Sequence, residues 1–221
     1  MTETLPAIAV IGGTGNLGAA LARRLVASGR RVLIGSRDRE RARLAAEALG
    51  HGAGFGTNAE VASAADVIIV AVPFASQKAT LQDIAPHVAG KIVVDTTVPL
   101  VPPKVMRVQL PPEGSAAVIA QSVLGPSVRV VSAFHNVAAH KLATDEKVEC
   151  DVLVCGDDRK ARDVVVAIAE ACGLRGLHAG ALANSAAAEA LTSIIIFINK
   201  TYGVDGAGMR ITGHLVPPSA G

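Results

Sequence analysis

Gly13, Gly15 and Gly18 stand at Gly-x-Gly-x-x-Gly spacing within Gly12-Gly13-Thr14-Gly15-Asn16-Leu17-Gly18, directly after the apolar run Ala7–Ile11 and before a stretch rich in alanine and leucine. That motif needs a strand before it and a helix after it, and both are predicted here. The first glycine permits the tight turn, and the second lets backbone approach a pyrophosphate. The third lets the helix lie against the strand, while the helix N-terminal amides face the anion. The loop predicts dinucleotide binding. About twenty residues further on, an NAD site places an acidic side chain to bond the ribose 2′-hydroxyl. Here the chain has Gly35-Ser36-Arg37, followed by Arg39 and Arg41. A carboxylate would repel a 2′-phosphate, whereas a serine hydroxyl and a guanidinium fork bind one. NADP is expected over NAD. Asp38 stands where a helix N-cap is wanted, and Arg39 and Arg43 read as a solvated helix face.

Other chemistries find little support. No Ser-His-Asp set is recognisable, and His135-x4-His140 does not read as a metal site, so no metal is expected. The only tyrosine, Tyr202, follows Lys200, so there is no Tyr-x-x-x-Lys pair. Cys150, Cys155 and Cys172 form no CxxC and read as small buried apolar residues of a reducing compartment. Five aromatic residues in 221, one Tyr and four Phe, disfavour a base-stacking platform, and a net charge of +2 is too small to hold a polyanion; no nucleic-acid partner is expected. Met1–Ala7 lacks the basic start and long apolar run of a secretory leader. The most apolar segment, Ala186–Ile198, is interrupted by Glu189 and is short for a bilayer. A soluble, cytoplasmic protein is expected, with mobile last residues.

These residues need elements to position them. Strands are predicted at 7–11, 31–34, 55–58, 67–72 and 91–94, with helices at 16–28, 38–49, 59–65 and 76–86 between them. Apolar strands alternating with helices imply a parallel sheet covered on both faces. Residues 96–112, with five prolines, form a long connection that cannot continue a ladder. A helix at 114–123, strands at 128–132 and 152–155, a helix at 159–172, a short strand at 174–178 and a last helix at 181–200 complete the reading. The expected fold is α/β, a Rossmann-type doubly wound, mainly parallel sheet with a small C-terminal extension ending in an apolar helix. Residues 1–150 are expected to form the NADP-binding domain, and 151–221 a smaller region completing the second site and a dimer contact. The run Ile194–Ile198 leaves one side of that helix exposed in a compact monomer, which predicts a homodimer.

The glycine loop with Gly35-Ser36-Arg37 resembles the coenzyme F420-dependent NADP oxidoreductases. The likeness continues in Val72-Pro73-Phe74, Val98-Pro99, Val130 to His135, Ala138-Ala139, Val154 to Asp158 and Ala190-Leu191-Thr192, and spans about residues 7–213. The resemblance implies hydride exchange between NADP(H) and the 5-deazaflavin coenzyme F420, with small-molecule cofactors as the only partners. It places Thr14, Gly15, Asn16 and Leu17 on the pyrophosphate. It assigns Ser36, Arg37 and Arg41 to the 2′-phosphate, and sets Phe74, Val98 and Ala139 around the nicotinamide. His135 and Asn136 would face the deazaflavin as positioning residues. Asp95-Thr96-Thr97 and the proline segment depart from the family pattern. Two other readings stay open. One is an NADPH-dependent reductase of a small carbonyl or imine, with Lys141 or His135 as proton donor; the other is a non-catalytic NADP(H)-sensing module.

Overall fold

The computed structural model describes residues 6–216; the leader reading at Met1–Ala7 and the expected mobility of the last residues fall largely outside them. The elements in chain order are β1 (Ile8–Ile11), α1 (Asn16–Ala27), β2 (Val32–Ser36), α2 (Arg39–Leu49), β3 (Gly54–Thr57), α3 (Asn58–Ala64), β4 (Val67–Val70), α4 (Phe74–Ile84), β5 (Ile92–Asp95), α5 (Ala116–Leu124), β6 (Arg129–Ser132), α6 (Ala139–Leu142), β7 (Asp151–Gly156), α7 (Arg159–Ala171), β8 (Arg175–His178) and α8 (Ser185–Tyr202). The strands lie in the order β3-β2-β1-β4-β5-β6-β7-β8. All pairings from β3 to β6 are parallel, β6 meets β7 antiparallel, and β7 pairs with β8 in parallel. The chain leaves β1 on one side, towards β2 and β3, and returns on the other through β4. That reversal opens a crevice at the carboxyl ends of β1 and β4, where sheets of this kind bind ligands.

β1 and β4 are buried at every residue because helices cover both faces. Ile8, Val10, Leu21 and Leu25 belong to the core on one face; Ala9, Ile11, Ile68 and Leu81 belong to the other. Alternate residues of each strand thus feed opposite cores, as a pleated strand requires.

Boundaries moved where local chemistry intervened. α4 begins at Phe74, two residues before the predicted 76, with Pro73 at its N-cap; Phe74 is therefore on the first turn of a helix. Residues 182–184 form a 3-10 turn ahead of α8, which runs on to Tyr202. The 21 residues Leu182–Tyr202 are long and apolar enough to cross a membrane by length and composition. The segment of thirteen read from the sequence, 186–198, falls short of it by four residues at each end. In the fold, Glu189, Ser185 and Ser193 of this helix are buried against the protein. Ser185 Oγ lies 2.6 Å from Ser132 Oγ, and Ser193 Oγ donates to the Arg107 carbonyl (3.4 Å). Residues from 151 on extend the same sheet through β7 and β8. Beyond α8, Ile211 N–H donates to the Asp151 carboxylate (2.6 Å), which Arg175 of β8 bonds through two nitrogens (2.7 and 2.5 Å), strapping the segment after α8 to β7. All three cysteines are buried and unpaired with one another.

Candidate functional site

The loop from Gly12 to Gly15 turns away from the end of β1, and Gly15 is the N-cap of α1. No side chain caps α1 and its first turn carries no acidic residue. By contrast, Asp38 caps α2 by accepting from Glu40 N (3.0 Å) and Arg41 N (3.3 Å), and Thr57 and Glu60 form a capping box on α3. An uncapped helix end behind a glycine loop offers free amides and a positive dipole end to an anion. The loop's tightness is steric. A Cβ on Gly18 would lie 2.3 Å from the Gly12 carbonyl oxygen, and one on Gly12 (φ +78°) would lie 2.3 Å from that of Ala71.

A cleft of about 220 Å³ runs from this loop to the end of β2, lined by Gly12, Thr14, Gly15, Ser36, Arg37, Asp38, Arg41 and Asn58, with Val72, Pro73 and Ser76 opposite. Thr14 and Gly15, two of the predicted pyrophosphate residues, therefore share one hollow with the predicted 2′-phosphate residues Ser36, Arg37 and Arg41. Gly13, Asn16 and Ala139 instead line a groove of about 860 Å³ between α1, α2 and α6, which Thr14 and Arg41 share with the cleft. Leu17 packs beneath the loop against the core. Phe74 and Val98 stand at the same sheet edge, half-buried, but line neither hollow.

The four arginines that sequence placed together have different partners. Arg39 pairs with Glu60 (3.3 Å) and lies over the Phe55 ring, and Arg43 is held between Glu40 and Glu47. Arg41 is 3.6 Å from Asp38. Arg37 is exposed and has no ion-pair partner among the described residues. Beside it the Ser36 hydroxyl oxygen accepts from Asp38 N (3.2 Å), leaving its proton to donate. An unpaired guanidinium next to a free hydroxyl proton suits a phosphate.

Sequence reasoning missed Asn58. It is buried in the same cleft, and its Oδ1 has no hydrogen-bond partner among the described residues. The Thr57-x-x-Glu60 box was the available signal, since it fixes Asn58 as the first residue of α3.

The loop after β6 carries Phe134, fully buried at φ +67°, a conformation bulky residues rarely adopt. His135 follows, buried; its carbonyl accepts from Thr192 Oγ1 (2.9 Å), while ring Nε2 has no partner among the described residues. Burial pushes its pKa down to about 4, so the imidazole is neutral near pH 7. Asn136 donates through Nδ2 to Cys150 Sγ (3.1 Å) and the Asp151 carbonyl (3.0 Å), tying the loop to β7. His140 and Lys141 both reach Asp205 (2.8 Å each), so His140 is committed away from His135. Hydrogen bonding to Asp205 raises the Lys141 pKa, which makes this lysine a poorer acid.

Two further carboxyls, named in the sequence without a site role, are buried. Burial raises Asp95, at the end of β5, to about pKa 6 against hydrogen bonds from Thr97 and Gln77. Burial raises Glu189 on α8 to about 8 even though it accepts the N–H groups of Ala116 (2.7 Å) and Ala117 (3.1 Å).

A family profile described as NADP oxidoreductase, coenzyme F420-dependent, matches residues 7–99. The chain is 38% identical to an F420-dependent NADP reductase of Methanocaldococcus jannaschii, over 93% of this chain and 97% of the relative. It is 39% identical to another of that name from Methanothermobacter thermautotrophicus, over 93% and 94%. A crystal structure of a candidate F420-dependent NADP reductase from Arthrobacter superposes with a TM-score of 0.83 at 25% identity, covering 95% of this chain and all of the other.

Proposed function

The chain belongs to the coenzyme F420-dependent NADP oxidoreductases, and from that premise we propose that it transfers a hydride directly between NADP(H) and the 5-deazaflavin of coenzyme F420. The observation that carries the reading here is the uncapped α1 N-terminus sharing a cleft with Ser36 and the unpaired Arg37. The ring cofactors supply the chemistry, a hydride passing between nicotinamide C4 and deazaflavin C5 while the accompanying proton exchanges with solvent. The protein's part is to hold those atoms about 3–3.5 Å apart and aligned. Gly12 to Gly15 and the α1 amides bind the pyrophosphate, and Ser36, Arg37 and Arg41 the 2′-phosphate. With its adenosine end held at β2, the dinucleotide extends across the β1–β4 crevice towards β4 and β5. Phe74, Val98 and Ala139 bound the nicotinamide, and the loop carrying His135 and Asn136 faces the deazaflavin. The region from 151 on completes that side.

A neutral, buried His135 acts by position. His135→Ala is therefore expected to lower kcat by less than the roughly 10²-fold that loss of a general acid or base costs. The deciding experiment mixes the protein with stereospecifically deuterated NADPH and oxidised F420 and follows loss of deazaflavin absorbance. Deuterium should appear on the deazaflavin without washout into water. No turnover, or a several-thousandfold loss in His135→Ala with both cofactors still bound, rejects this reading in favour of the carbonyl or imine reductase.

The same reading includes a cytoplasmic homodimer whose partners are small molecules. Ile194 and Phe197 on α8 are 48% and 52% exposed, and the proline segment that bonds α8 adds Val108 and Leu110 at 41% each. Burying this face against a second copy removes an apolar patch from water. Light scattering at micromolar concentration is expected to give twice the chain mass of 22.4 kDa; the monomer mass rejects the dimer.

A further inference from the structure

Asp95, at the end of β5, carries the far end of a buried polar chain. Gln77, one turn into α4, donates through Nε2 to Asp95 Oδ2 (2.5 Å) and to the Ala116 carbonyl (2.9 Å). The other oxygen of Asp95 accepts from Thr97 N (3.2 Å), and Ala116 is in turn held by Glu189 from α8. Gln77, Asp95 and Glu189 are 1%, 0% and 1% exposed. Burying such groups costs desolvation that apolar side chains of similar volume would avoid, and a satisfied network returns rigid geometry more than stability.

What the chain fixes is specific. Pro73, the N-cap of α4, lines the dinucleotide cleft, and Val98 follows Thr97 directly. The bond from Gln77 to Asp95 therefore sets the distance between the segments that leave β4 and β5, where the nicotinamide half must lie once the 2′-phosphate is anchored at β2. We propose that Gln77 and Asp95 are positioning residues for hydride transfer, holding the β4 and β5 segments at one spacing beneath the nicotinamide. The inference rests on the function proposed above.

The test is steady-state kinetics of Gln77→Met, which keeps volume and removes the amide, with NADPH and F420 as substrates. A displacement of an ångström at the reacting atoms costs up to about 10²-fold, so kcat should fall about 10- to 100-fold. The NADPH KM should stay within about threefold, because the phosphate contacts lie on the β1–β2 side. The deuterium isotope effect on kcat should rise as the chemical step becomes limiting; loss of folded protein alone would leave it unchanged. Should Gln77→Met fail to fold by circular dichroism, Asp95→Asn must show the same split. A folded variant with kcat within twofold of wild type, or a fall in kcat with an unchanged isotope effect, overturns the inference alone. Wild-type protein that binds NADPH yet transfers no hydride to F420 overturns the function and this inference with it.

Discussion

Arg37→Ala is expected to weaken NADPH about 10- to 150-fold while leaving NADH turnover nearly unchanged, because it removes one charge-assisted bond worth roughly 1.5–3 kcal/mol. The guanidinium has no ion-pair partner among the described residues, so its removal strands no carboxylate and costs the fold little. Its exposure makes the effect dependent on ionic strength: the gap between wild type and variant should narrow as salt rises. Arg41, 3.6 Å from Asp38, is a weaker second cation, and Arg41→Ala should show the same selectivity at smaller amplitude. The measurement is kcat/KM for both nucleotides in both variants. Equal losses with NADPH and NADH would make Arg37 structural and remove the main support for NADP.

Arg37 also marks where reading the sequence stopped short. Four arginines between 37 and 43 are equivalent in a string of letters, apart from a helical spacing that turns Arg39 and Arg43 outward. Only the fold shows that Glu60, Glu40 and Glu47 engage those two and leave Arg37 free. The features legible beforehand were local ones: the glycine loop, the Asp38 cap and the alternation of apolar strands with helices all act within a few residues. α6, four residues long, is too short to show a period. The early start of α4 was hidden because Pro73 occupies its N-cap, where a side-chain acceptor is the usual signal. The Gln77, Asp95 and Glu189 network had no local signal at all. Its bonds join residues 18, 39 and 73 positions apart, so each member reads alone as an ordinary polar residue. Partial burial of Phe74 and Val98 at the sheet edge is likewise a property of packing between loops.

Gly18→Ala should weaken binding of both nucleotides without changing the preference between them, lowering kcat/KM for NADPH and NADH alike by at least about 100-fold. The added methyl meets the Gly12 carbonyl oxygen at 2.3 Å and the Gly12 carbon at 2.8 Å, both backbone atoms. Neither side can yield cheaply. That carbonyl accepts the Gly15 N–H (2.9 Å) that closes the loop, and Gly12 itself sits hard against the Ala71 carbonyl. On the other side, α1 is held by Leu21 and Leu25, both fully buried. Overpacking of this kind costs about 1–3 kcal/mol or more, paid in displaced loop geometry or lost stability. Gly15→Ala separates steric need from ligand approach. Its Cβ would lie 3.3 Å from the nearest atom, the Gly12 oxygen, so the protein alone nearly accommodates it. Thermal melts should therefore show a clear loss in Gly18→Ala and a small one in Gly15→Ala, while NADPH titration shows weakened binding in both. A Gly18→Ala protein that binds NADPH within threefold of wild type would mean that the loop does not hold the pyrophosphate, and the cleft between β1 and β4 would need another ligand.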